Sequence, residues 1–533
     1  MAMMAILLAG LGLHGARAAG SCQGLAGMRI GDATVTSAQP VTPPFSAPNI
    51  DPPEAVPVRQ PFCRARGLIE PAPGSRIGFE LWLPPAASWN GRLEAIGNGG
   101  FAGSMIYQPM AWALAEGYAA VATDTGHQGR SIDAGWALDH DQAIVDFAWR
   151  GVHETALAAK SLVGTYYDRP AQHAYFNGCS DGGREALMEA QRFPTDYDGI
   201  VAGAPANQWT RLLGTSIWNI QSLDASPASA LPPQALRLVT AAVLAQCHAT
   251  DGVLDDPSQC RVDLAPLLCR GADHQACLTR PQLVALGRIY GGPRDESGRS
   301  LGPGFSPGAE AGPAAWSLWI TGRKGDGSGS LADMFGGGFF RDMVYPHGGW
   351  SFARADLTRD LAAAQARFGD LLDAPSPDLS AFAAAGGKLI QYHGWADAGI
   401  PPAMSVQYYR AAARSLGGLG KLRAFWRLFM APGMYHCGLG PGPNAVGGVF
   451  GLPAASADPG HDPQHDIVAA LDAWVRQDRA PERIIAARYV DDDPAKGIAA
   501  QRPWCAYPAV SRALGNGRFE CRDAQDQRSP GAR

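Results

Sequence analysis

The chain has 533 residues and a hydrophobic fraction of 46%, enough to bury a large core. A formal net charge of −5, with Lys and Arg scattered, excludes the basic stripe that nucleic acid or an anionic membrane requires of a partner. Length alone suggests roughly two to four domains, or one large domain carrying an insertion.

Residues 1–19 are apolar from Ala5 to Leu13 and end in Ala16-Arg17-Ala18, a small-x-small pattern that predicts a secretory signal peptide. No Lys or Arg precedes the apolar run, which is too short to span a bilayer, and no later segment reads as transmembrane. Ten cysteines, an even number with no CxxC pair and no zinc-like Cys/His spacing, fit an oxidising compartment, either secreted or periplasmic. Local spacing suggests Cys22–Cys63, Cys247–Cys260, Cys269–Cys277 and Cys505–Cys521, which leaves Cys179 with Cys437; sequence alone does not fix the five pairings.

Arg92–Ile96 predicts a short strand that runs into a glycine loop over 97–103 (GNGGFAG). Residues 118–123 (YAAVAT) predict a second buried strand. Ile144, Phe147, Ala148, Val152, Thr155, Ala159 and Leu162 recur at helical spacing and predict one amphipathic helix. A strand over 173–177, a sharp turn over 178–182, a helix over 183–193 and a strand over 199–202 follow. From about 207 to 376 the composition shifts to frequent Gly, Pro and Trp, after which strands resume at 388–392 and 424–430. Alternating strands and helices predict an α/β fold with a mostly parallel sheet covered on both faces. The division expected is 20–206 and 377–533 for the two parts of a catalytic domain, and 207–376 for an inserted lid.

The turn reads Gly178-Cys179-Ser180-Asp181-Gly182, a Gly-x-Ser-x-Gly between strand and helix. This pattern exposes a serine hydroxyl on a strained turn and leaves helix N-terminal amides free for a developing oxyanion. Asp397 follows one predicted strand, and His436 follows the next in Tyr435-His436-Cys437. The order Ser180, Asp397, His436 suits an α/β-hydrolase triad: His436 takes the serine proton, and Asp397 fixes the imidazole tautomer. The backbone amides of Gly100 and Asp181 are the expected oxyanion donors. A Cys179–Cys437 bond would bring nucleophile and base together, since bonded cysteines have Cα atoms within roughly 7 Å. His461 and His465 flank Pro463, which disfavours a helix that would align them, so a surface loop is expected there.

At these residues the chain resembles the tannase and feruloyl esterase family, which includes hydrolases of mono(2-hydroxyethyl) terephthalate. The resemblance rests on Cys179-Ser180, Asp397 and His436-Cys437, and extends to 97–103, 471–481 and 502–508. It implies an α/β-hydrolase fold with a large lid, a bond between Cys179 and Cys437, and a serine carboxylesterase that needs no cofactor for its chemistry. Its expected substrates are small esters of aromatic acids such as ferulate, gallate or terephthalate. Lid aromatics Trp316, Trp319, Phe335, Phe339 and Phe340 are candidates for an aromatic acyl pocket, against the commoner role of forming the insertion's own core; His393 is a candidate substrate contact, with a loop hydrogen bond the favoured reading. The family also carries a Ca²⁺ loop between two lid cysteines. Here the stretch after Cys247 is shorter and has His248 where an Asp is expected, leaving Asp251, Val253 and Asp255 as a doubtful calcium set.

Overall fold

The structure, a computed structural model, describes residues 20–50, 53–249, 251–270, 276–455 and 461–523. The expected signal peptide lies outside these residues. The central sheet is built from β1 (Arg29–Ile30), β2 (Ala33–Val41), β3 (Phe62–Ile69), β4 (Ile77–Leu83), β5 (Arg92–Ile96), β6 (Ala119–Thr123), β7 (His173–Cys179), β8 (Gly199–Gly203), β9 (Lys388–Gly394) and β10 (Trp426–Ala431). Their spatial order is β1-β2-β3-β4-β6-β5-β7-β8-β9-β10. From β6 through β10 every neighbour pair is parallel, whereas β1 to β4 pair antiparallel and β4 joins β6 antiparallel. The sheet is therefore less parallel than the sequence implies, because four strands precede the first parallel one.

The parallel strands are short, apolar and buried on both faces, the pattern expected when helices cover each side. In β6, Ala119 and Val121 face one core, while Ala120 and Ala122 face the other. The first core is closed by α2 (Gly151–Tyr167) through Ala156, Ala159 and Leu162; the second by α1 (Tyr107–Ala115) through Met110 and Leu114. The helix expected around Ile144 to Leu162 is instead two α-helical stretches, Asp141–Val145 and α2, joined by a π-helical turn over Asp146–Arg150. Carbonyls near that turn find another donor: Arg184 on α3 (Asp181–Arg192) donates to Phe147 O and Ala148 O at 3.1 and 2.6 Å.

Between β8 and β9 lies a helical insertion holding α4 (Trp209–Leu223), α5 (Pro233–Gln246), α6 (Arg280–Gly291), α7 (Leu331–Gly338) and α8 (Leu357–Leu372). Its own core gathers Leu236, Val239, Val243, Leu286 and Trp316. One correction concerns membranes. Pro227–Gln246 is a 20-residue helical stretch of mean hydropathy 1.2, long and apolar enough to cross a bilayer by composition. Leu231, Leu236, Val239 and Val243 within it are committed to the insertion's core. Beyond β10, α9 (Ile467–Gln477) packs Val468, Leu471 and Trp474 beneath the sheet.

Each of the five expected cysteine pairs is bonded, with Cα separations of 5.5, 6.0, 5.7, 5.0 and 5.6 Å in chain order. The long-range pair is Cys179–Cys437, which joins the end of β7 to the loop after β10 across 258 residues.

Candidate active site

Four chain segments leave the carboxyl edge of the parallel strands and converge: the 97–103 loop after β5, the Ser180 turn after β7, the Asp397 turn after β9 and the His436 loop after β10. In open α/β sheets this edge is where ligands bind.

Ser180 has φ 68° and ψ −118°, a left-handed conformation that a non-glycine residue holds only when its surroundings force it. Its N–H donates to Gly203 O on β8, and its carbonyl accepts from Arg184 N and Ala206 N. The glycines around it answer to close backbone approach. A Cβ on Gly178 would stand 2.4 Å from Gly182 O, and one on Gly183 would stand 2.2 Å from Gly203 O. The turn is braced from below by Arg184, fully buried and bonded to Asp181 Oδ1 at 2.6 Å. With its side chain turned inward, Asp181 offers the site only its backbone N–H, the first of helix α3.

The glycine loop is clamped to the same helix. Gly182 N donates to Asn98 O at 2.9 Å, and Asn98 N donates to Glu185 Oε2 at 2.9 Å. Burial, with the charge of Asp181 adding to it, pushes Glu185 up to about 8 despite Arg184 and the Asn98 amide. Asn98 Nδ2 ties the loop to Ser104 O and Thr123 O. Gly100 has φ +57°, and a Cβ there would meet Ser131 O at 2.3 Å.

His436 Nδ1 lies 2.8 Å from Asp397 Oδ2. Asp397 Oδ1 accepts from Gly399 N and Ile400 N at 2.7 and 2.9 Å. Burial alone would raise the Asp397 carboxyl, but His436 and the hydrogen bonds of His393 and His436 outweigh it and hold the group well below the usual range. An ionised carboxylate accepts only, so Nδ1 carries the proton it shares. His436 Nε2 is buried without a hydrogen-bond partner among the described residues.

Two cavities border Ser180, His436 and Gly100. One of about 60 Å³ is walled by Trp209, Leu213, Phe305, Trp319, Phe335 and Ile400. The other, about 270 Å³, is lined by Ile106, Ile132, Leu331, Phe335, Cys437 and Phe450. Trp319 meets the His436 ring edge-on at 4.5 Å.

Of the substrate contacts expected from sequence, Trp319 and Phe335 line the cavities. Trp316, Phe339 and Phe340 do not; Trp316 is buried in the insertion's core, and Phe339 and Phe340 are buried where the insertion packs against Phe101, Ile144 and Phe147. His393 is not a cavity residue either and takes the hydrogen-bonding role favoured for it. It is fully buried within β9, with Nδ1 2.7 Å from Ser405 Oγ and Nε2 3.1 Å from both Ile400 O and Asp397 Oδ2. It supports Asp397 and touches no cavity beside Ser180. Sequence reasoning missed the roles of Asn98, Arg184 and Glu185, which stand in a glycine loop and a polar helix where nothing local marks them.

The calcium set does not fit. Asp251 Oδ2 pairs with Arg502 Nη1 at 3.2 Å, while Asp255 pairs with Arg502 and, at 3.2 Å, with Arg512. Arg502 is almost fully buried, so guanidinium groups already hold the charge a cation would bring, and the Val253 carbonyl alone adds one oxygen. The carboxylates fall short of the six to eight oxygens calcium takes.

Sheet order, elbow and converging loops define an α/β hydrolase. A family model described as tannase and feruloyl esterase matches residues 63–528, and the chain belongs to that family, a group of esterases. An uncharacterised esterase of Xanthomonas campestris pv. campestris is 39% identical over 539 aligned residues, covering 96% of this chain and 91% of its own. A probable feruloyl esterase B-2 of Aspergillus flavus is 32% identical, covering 86% and 85%. The crystal structure of feruloyl esterase B from Aspergillus oryzae superposes with a TM-score of 0.83 at 28% identity, covering 93% of this chain and 98% of that one. Tannin acyl hydrolase from Aspergillus niger, at 22% identity and a TM-score of 0.72, shares the fold.

Proposed function

We propose that the chain is a secreted serine esterase that cleaves esters of small aromatic acids through an acyl-enzyme, as the names of its feruloyl esterase relatives point to. Ser180 Oγ attacks the ester carbonyl while His436 Nε2 takes its proton. The tetrahedral oxyanion is held by the Gly100 and Asp181 amides, and the alcohol leaves with the proton from His436. Water then repeats the sequence on the acyl-serine and releases the acid. Asp397 keeps His436 in the tautomer that presents Nε2. Trp319 and Phe335 are the walls for an aromatic acyl group, and residues 207–376 act as the lid over it. Five disulfides and the small-x-small motif near residue 18 support export.

The observation that carries this reading is His436, anchored through Nδ1 and, among the described residues, left unpartnered at Nε2 beside the cavities that Ser180 lines. The test is steady-state hydrolysis of methyl ferulate, methyl gallate and mono(2-hydroxyethyl) terephthalate by wild type and Ser180→Ala. Wild type is expected to cleave at least one, and the variant none above the uncatalysed rate. Turnover by Ser180→Ala would remove Ser180 as nucleophile; no cleavage of any of the three by wild type would remove the aromatic-ester assignment.

A further inference from the structure

At the far end of the helix that Ser180 opens, a second cluster has no part in ester cleavage. His153 on α2, Glu189 on α3 and Asp196 in the turn after α3 place one ligand atom each within 4.8 Å of one another. Glu189 lies nine residues beyond Ser180, about 13 Å along the helix, so the cluster is separate from the catalytic edge.

We propose that His153, Glu189 and Asp196 form a binding site for one divalent transition-metal ion of the zinc type. The carboxylate of Glu189 is the reason. It is 1% exposed, and neither oxygen has a hydrogen-bond partner among the described residues. A buried carboxylate is stable only if protonated, paired or coordinated. The Asp196 carboxyl stands beside it, so a shared proton or a cation is needed between the two acids. Lys160 also acts on Glu189, but its Nζ donates to Thr195 O at 3.5 Å and lies over the Tyr197 ring.

The remaining geometry suits a metal. His153 Nδ1 and Asp196 Oδ2 share a 2.6 Å hydrogen bond that a bound ion would replace, and the ring is stacked on Phe193 at 3.8 Å, which fixes the ring plane. The imidazole is 19% exposed, so an ion can reach a site whose other two ligands are buried. Two carboxylates balance a dication, the imidazole selects a transition metal over calcium or magnesium, and three protein ligands leave a fourth position for water. Bound there, the ion ties the end of the nucleophile helix to α2.

The test uses the full-length protein stripped with EDTA and titrated calorimetrically with ZnCl₂ at neutral pH, beside Glu189→Gln and His153→Ala. Wild type is expected to bind one equivalent and to melt at higher temperature with zinc. Each variant should bind about 100-fold more weakly or worse, and its melting should ignore zinc. Wild type that takes up no zinc overturns the site, as do variants that bind like wild type. If Glu189→Gln melts higher than wild type and wild type ignores zinc, Glu189 and Asp196 instead share a proton. Glu189→Gln preserves side-chain shape, so a folded protein is available for the comparison even if His153→Ala is unstable.

Discussion

In the proposed mechanism, Asp397 governs the chemistry without touching substrate. Two backbone amides and two imidazoles surround it, and together they override the burial that would otherwise raise its carboxyl. Its folded value lies below the unfolded one, about 3.9, so its contribution to stability is full above about pH 4 and is lost as pH falls through the folded value. Activity lost between pH 7 and pH 4 therefore does not come from protonating Asp397. Asp397→Asn keeps the shape but gives the imidazole an amide to face, which favours the wrong tautomer. Steady-state kinetics on a cleavable ester should show kcat falling on the order of 10⁴-fold with KM little changed. A loss of less than about tenfold would show that His436 is oriented by something else.

At the level of elements, the disulfide sets where His436, the proposed base, stands relative to Ser180, the proposed nucleophile. Cys179 ends β7 and Cys437 follows His436, so the bond joins two loops that are otherwise attached to different strands. Closing so long a loop has a nominal entropic value of about 5 kcal/mol, while a small displacement of a base can lower turnover on the order of 100-fold. A Cys179→Ala, Cys437→Ala double variant should remain folded by circular dichroism while turnover drops by about that factor. Equal turnover would reduce the bond to a stabiliser. The elements that carry these loops were legible in the sequence because parallel strands are continuous apolar runs, such as Ala119–Thr123 and Gly199–Gly203, set between helical periods. The antiparallel strands were not. In β4 every residue is buried, and in β2 a register irregularity between Val35 and Ser37 breaks the alternation that marks a half-buried strand. The π turn over Asp146–Arg150 was hidden because its apolar spacing still reads as helix; what locates it is the guanidinium of Arg184, 34 residues beyond Arg150. The role of Trp316 depended on packing partners spread along the insertion, whereas His393 is held by partners within twelve residues whose approach depends on how the turn after β9 folds back.

Across the whole molecule, buried acids leave a pH signature separate from the catalytic residues. Glu94 and Asp466 line a cavity of about 380 Å³ with Glu116. Burial is the leading cause that raises Glu94 to about 8, Glu116 to about 9 and Asp466 to about 6. A carboxyl with a raised folded value stabilises below the unfolded value, and that contribution is lost as pH rises through the folded one. Stability should therefore decline from about pH 4.5 toward pH 8 to 9. Glu94→Gln should match wild type near pH 4 and melt higher above pH 8, as read by thermal unfolding across a pH series; parallel curves would show that Glu94 is not raised. The central assignment, Ser180 activated by a base that a disulfide brings to it, is tested most directly by intact-protein mass spectrometry after reaction with a fluorophosphonate ester, with the modified residue located by peptide mapping. One adduct per chain on Ser180, absent in His436→Ala, is the expected result. No adduct, or an adduct on another residue with Ser180 untouched, would contradict it.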